Sequence, residues 1–160
     1  MPCNDMEKRA QNFASNAHHG QMYGEFPYTH HLSAVAAIAE GFDAPQAVRV
    51  AAWLHDTIED THVEESELEA EFGPEVARLV VAVTNPPGSR RERAEAACKK
   101  VRAGGSDAVL LKLCDRLANV SCAENGLLKM YQKEWPLFYE ILYVEGEHEL
   151  LWRTLKVYLE

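Results

Sequence analysis

Apolar residues recur at helical spacing along almost the whole chain, and glycine or proline interrupts the pattern at intervals. Chains of this kind bury their apolar stripes by packing helix on helix, so the sequence predicts an all-α bundle. Helices are expected over Met6–Ala17, Thr29–Glu40, Pro45–His55, Glu64–Glu71, Pro74–Val83 and Arg90–Arg102, then along an apolar run through Val109, Leu113, Leu117 and Val120. Two more are expected, one opened by Pro136 and ending near Val144, the other over Glu147–Tyr158. Asp43 is expected to cap the third helix, and Ser106 or Asp107 the long apolar one. His18–Tyr28 reads as turns, Asn85–Ser89 as an exposed loop and Glu124–Gly126 as a break. No segment reads as a convincing strand, and no internal repeat is visible.

At 160 residues the chain suits one domain, residues 1–160, with a sizeable core. No apolar run approaches the roughly 18 residues of a membrane span. The polar start lacks the apolar stretch of a secretory signal. Cys3, Cys98, Cys114 and Cys122 show no C-x-x-C spacing, which favours a reduced, cytoplasmic protein. A net charge of −9 argues against non-specific nucleic-acid binding. Trp53, Trp135 and Trp152 read as core or helix-contact residues.

The chemistry concentrates in the run LHDTIED, Leu54 to Asp60. His55 and Asp56 place an imidazole and a carboxylate at one point of the backbone. Glu59 and Asp60 follow them at i+4, which on a continuous helix puts all four on one face. The preceding Val50–Leu54 is apolar, so the cluster reads as the polar end of a buried helix. Buried carboxylates need compensation, and a metal or a bound substrate supplies it. The bland alternative is a solvated acidic face.

A divalent ion needs more donors than one His-Asp pair. His30 and His31 stand at the start of the second helix. Asp115 interrupts the apolar run Leu110–Cys114, where its ordinary role would be a salt bridge to Lys112 or Arg116.

With these residues the chain resembles the HD-domain phosphohydrolases, whose H…HD…D signature matches His31, His55-Asp56 and Asp115. The fuller runs PYTHH, LHDTIEDT, EFGPEVA and KLCDRLANV are similar to the branch that hydrolyses guanosine polyphosphates, including its small stand-alone members. The resemblance covers about Phe13 to Ser121 and implies an all-α HD-domain helical bundle. It implies that His31, His55, Asp56 and Asp115 ligate a metal, usually manganese. Glu59 and Asp60 match the pair that positions and deprotonates the attacking water. Asn119 matches a nucleotide contact, and Tyr131 resembles an aromatic residue near the substrate pocket. One departure stands out: between Gly20 and Pro27 the turn is one residue shorter than usual, and Tyr23 stands where the family carries an arginine that grips the nucleotide. Tyr23 can stack on a purine instead, or serve as a core aromatic. Arg90, Arg91 and Arg93 read either as a solvated helix start or as a movable basic arm for a polyphosphate.

The implied activity is removal of 3′-pyrophosphate from ppGpp or a related purine nucleotide, including the adenine analogue. The alternatives are a nucleoside 5′-monophosphate phosphohydrolase and a catalytically silent nucleotide-binding regulator. The sequence leaves the oligomeric state open.

Overall fold

The chain's helical periodicity is realised in a computed structural model that describes residues 2–160. α1 (Pro2–Ala17) presents the fully buried Ala10 and Ala14 to the interior. Two short strands follow, β1 (Met22–Tyr23) and β2 (Phe26–Pro27), paired antiparallel with Met22 opposite Pro27 and Tyr23 opposite Phe26. This hairpin corrects the expectation of a strand-free chain. Two-residue strands leave no readable alternation, but Gly24 at φ 60° provides the left-handed turn that a two-residue hairpin loop requires.

α2 (Thr29–Gly41) and α3 (Gln46–Leu54) form the next helical pair. Asp43 does not cap α3: it sits at φ 53°, and Pro45 takes the N-cap position. α3 stops at Leu54, short of the predicted end, and α4 (Thr57–Asp60) is a separate single turn. His55 and Asp56 thus lie in the junction between two elements, not on one continuous helix.

α5 (Glu65–Phe72) and α6 (Pro74–Val83) meet at Gly73, whose φ of 91° suits glycine, with Pro74 opening α6. α7 (Arg90–Ala103) is capped by Ser89, whose Oγ accepts from the Glu92 amide at 3.3 Å while the Glu92 carboxylate accepts from the Ser89 amide at 3.2 Å. α8 (Ser106–Ser121) follows Gly105 with no side-chain cap, so neither Ser106 nor Asp107 plays that role. α9 (Asn125–Leu142) begins eleven residues before the predicted Pro136, which lies inside it, and Gly126 falls in its first turn. The interior proline is tolerated because Trp135 and Phe138, on either side of it, are buried and anchor the helix. α10 (Glu149–Leu159) ends the chain.

α8 is the axis of the structure. Ala108 to Leu111, Leu113, Cys114, Leu117, Ala118 and Val120 are all buried, and α2, α3, α6, α7, α9 and α10 pack against this helix. Trp135, Phe138, Tyr139, Tyr143 and Trp152 form an aromatic cluster between α9 and α10. Two polar side chains, Asp115 and Arg116, are buried on this central helix. Among the described residues, no helix is long and apolar enough to cross a membrane.

Candidate metal centre

Three elements converge beside the middle of α8. The first turn of α2 supplies His31, the α3–α4 junction supplies His55 and Asp56, and α8 supplies Asp115. His31 and His55 are almost fully buried. Ligand atoms of His31, His55 and Asp56 all lie within 4.8 Å of one another. Asp115 Oδ1 stands 3.1 Å from His31 Nε2 and 3.3 Å from His55 Nε2. The structure therefore brings together all four residues expected to ligate a metal, while His30 stacks on Phe26 in β2 and stays out of the cluster.

The local chain fixes these orientations. His55 Nδ1 is 2.8 Å from the Ala52 carbonyl, which can only accept, so that nitrogen carries the proton. Nε2 then points inward, 3.0 Å from Asp56 Oδ2 and 3.3 Å from Asp115 Oδ1, but aligned for a hydrogen bond with neither. A buried nitrogen without a bonded partner, facing two carboxylate oxygens, calls for a cation. The electrostatics agree. Burial opposes the charged imidazolium, yet Asp56 and Asp115 raise the His55 pKa well above its ordinary value. Burial likewise favours neutral Asp115, yet Lys112 and the two histidines hold its carboxyl well below the usual range. The Lys112 ion pair at 3.3 Å realises the ordinary role weighed for Asp115, which also faces both histidines of the cluster. The donor set, two imidazoles and two carboxylates, fits a borderline divalent ion.

A ring of supporting contacts was not legible in the sequence. Tyr28 donates to Asp56 Oδ2 at 2.6 Å. Gln21 Nε2 donates to Asp60 Oδ2 at 3.1 Å, and its own Oε1 meets His18 Nδ1 at 2.7 Å. The Asn85 amide donates to Glu59 Oε1 at 2.8 Å. Glu59 and Asp60 on α4 are therefore each held from another part of the chain. Spacing alone identifies none of these partners, although Tyr28 lies one helical turn before His31.

The expected substrate contacts divide. Tyr23 and Asn119 meet: the tyrosine hydroxyl donates to Asn119 Oδ1 at 2.9 Å, and Asn119 Nδ2 donates to Asp115 Oδ1 at 3.2 Å. The Tyr23 ring stacks on His31, centroids 4.8 Å apart. Tyr131 is buried under the Arg116 and Arg90 guanidiniums, at 4.8 and 5.4 Å. Arg90 is no free arm: it pairs with Glu134 on α9 at 2.6 Å.

The model of the HD domain matches residues 10–134, a span that contains every one of these site residues. The chain belongs to the HD-domain family. Among its HD-domain relatives is guanosine-3′,5′-bis(diphosphate) 3′-pyrophosphohydrolase MESH1 of Danio rerio, 38% identical over 117 residues, or 68% of this chain and 64% of that protein. An enzyme named guanosine-3′,5′-bis(diphosphate) 3′-pyrophosphohydrolase from Aquifex aeolicus is 39% identical over 120 residues, or 71% of this chain and 17% of that protein. The chain thus spans somewhat under two thirds of the first relative's length and a small part of the second's. A solved HD-domain structure, that of a metazoan ortholog of SpoT described as hydrolysing ppGpp, matches with a TM-score of 0.83 over 96% of this chain and 93% of its own, at 24% identity. That likeness establishes the common fold.

Proposed function

We propose that this HD-domain chain, acting as one unit over residues 1–160, is a metal-dependent hydrolase that removes pyrophosphate from the 3′ position of ppGpp or a related purine nucleotide. The observation that carries the reading is the convergence of His31, His55, Asp56 and Asp115 beside a pair of anchored carboxylates, Glu59 and Asp60. The names of the Danio rerio and Aquifex aeolicus relatives support the substrate class.

The four residues would hold the ion, and manganese suits their mixed nitrogen and oxygen donors. When bound, such an ion supplies Lewis-acid chemistry, activating water and offsetting charge on phosphorus oxygens. The chain's own residues do the rest. Glu59 and Asp60, fixed by Asn85 and Gln21, accept the proton of the attacking water. Tyr28 and the Ala52 carbonyl fix the directions of Asp56 and His55. Tyr23 and Asn119 form a joined wall next to His31, and the Tyr23 ring would be the aromatic surface for a purine of either kind. Cys98, Cys114 and Cys122 are free thiols, in keeping with a cytoplasmic setting. The net charge of −9 suits a small nucleotide better than a nucleic acid.

The test is to incubate the manganese-loaded chain with ppGpp, its adenine analogue and ordinary 5′-monophosphates, and to identify the products by mass. Pyrophosphate and a nucleoside 5′-diphosphate are expected from the first two. Orthophosphate from the monophosphates, with both 3′-pyrophosphates intact, would contradict the reading. Repeating the assay with Tyr23→Arg should sharpen the guanine over adenine ratio in kcat/KM. An unchanged ratio would assign Tyr23 to packing alone.

A further inference from the structure

One well-formed cavity of the molecule is separate from the His/Asp cluster. It has a volume of about 540 Å³ and lies between α7, α8 and α9. None of His31, His55, Asp56, Tyr23, Asn119 or Tyr131 lines it. Its floor is apolar, made by Ala97, Cys98, Val101, Phe138 and Leu142. Its walls carry six cationic side chains, Arg90, Arg91, Arg93, Arg116, Lys112 and Lys133, against one carboxylate, Glu134. On a chain of net charge −9 this is a strong local reversal of sign.

Arg116 gives the cavity its direction. This guanidinium is only 7% exposed, and its Nη1 has no hydrogen-bond partner. Glu134 Oε2 lies 3.7 Å away, beyond hydrogen-bond reach, and is shared with Arg90. The guanidinium rests on the Phe138 and Tyr131 rings at 4.3 and 4.8 Å, so its position is fixed by packing. This buried guanidinium, with Nη1 short of a hydrogen bond, adds fixed positive charge beside the apolar floor, a combination that suits an anionic ligand. One negative charge would neutralise a small part of these walls, so the ligand is multiply charged. The floor demands an apolar or aromatic body, and the volume falls in the range of small-molecule sites, roughly 300–1,000 Å³.

We propose that the α7–α8–α9 cavity is a second ligand site, separate from the metal centre, and that it takes a nucleoside 5′-diphosphate or triphosphate. The site touches the metal centre through two residues, because the Lys112 side chain also meets Asp115 and Asn85, by its main-chain and side-chain amides, also holds Glu59. An occupant is therefore placed to alter the grip on both.

The proposal does not rest on the hydrolase reading, and its test keeps the two apart. Cys98 lines the cavity and serves as a local reporter. GDP and ADP, neither of which carries a 3′-pyrophosphate, are titrated into the full chain while alkylation of Cys98 by N-ethylmaleimide is followed by peptide mass spectrometry. Affinities are measured in parallel by calorimetry. At least one of the two nucleotides should slow Cys98 alkylation and bind more tightly than inorganic pyrophosphate, in wild type and in Asp56→Ala alike. The double variant Arg93→Glu/Lys133→Glu, altered at the cavity rim, should bind about tenfold or more weakly. Alkylation unaffected by millimolar GDP and ADP would overturn the proposal. So would binding that Asp56→Ala abolishes or that the rim reversal leaves unchanged, since the nucleotide would then sit at the metal centre.

Discussion

At the scale of single residues, the site depends on side chains whose job is to hold other side chains. Asp56 is the clearest case. Burial disfavours its charge, but His55 and the Tyr28 hydroxyl hold its carboxyl below the ordinary range. Burial and the adjacent Asp56 in turn raise the Tyr28 phenol far above its usual pKa, so it remains a donor. Tyr28→Phe removes that donor while keeping the ring. Manganese affinity, read by calorimetric titration, should fall about 10- to 100-fold. Unchanged affinity would mean that Tyr28 does not orient the ligand. Glu59 and Asp60 make the opposite case, because their partners Asn85 and Gln21 tie them to the protein and not to the ligand cluster. Glu59→Gln and Asp60→Asn should retain metal, and at least one should lose roughly 100-fold or more in kcat. Wild-type rates in both, with metal bound, would remove the pair from proton transfer. His31, His55, Asp56 and Asp115 could be singled out in the sequence because each sets a polar group against an apolar or helical background. Tyr28, Gln21 and Asn85 could not, because their partners lie 28, 39 and 26 positions away and no periodicity links them.

At the scale of elements, close packing sets the limits. Gly104 ends α7 where it meets α6 and α8. A Cβ there would stand 2.7 Å from the Ala82 Cβ and 2.9 Å from the Ala108 Cβ. Gly104→Ala should cost about 1–3 kcal/mol through overpacking, although the backbone at φ −72° accepts alanine. Urea denaturation checks this, and a midpoint at or above wild type would show that the helices separate at little cost. The helices themselves were legible wherever an amphipathic stripe met a glycine or proline stop, as in α2, α6 and α8. The end of the third helix was expected at His55, one residue beyond Leu54, but the separate turn α4 was not legible from spacing. There the chain leaves the helix as Thr57 Oγ1 bonds back to the Leu54 carbonyl at 2.7 Å, and His55 and Asp56 face the His/Asp cluster. The start of α9 was missed for the converse reason: Gly126 and Pro136 are ordinary breakers, but burial of Tyr131, Trp135 and Phe138 outweighs them.

At the scale of the whole molecule, an acidic chain concentrates its positive charge around one cavity and its buried negative charge around another. The central helix α8 serves both, presenting Asp115 to the metal centre and Arg116 to the basic cavity. Net charge, read from the sequence, argued against non-specific nucleic-acid binding but could not reveal this division, which exists only once α7 and α9 fold beside α8. The account's central claim is that the His/Asp cluster is a metal centre that hydrolyses a 3′-pyrophosphate. The most direct measurement is the release of pyrophosphate from ppGpp by the manganese-loaded chain, compared between wild type and Asp56→Ala at matched folding. Multiple-turnover release by wild type, stopped by chelation and absent in the variant, is the result expected. Equal release from both proteins, or none from either under metal-saturating conditions, would contradict it.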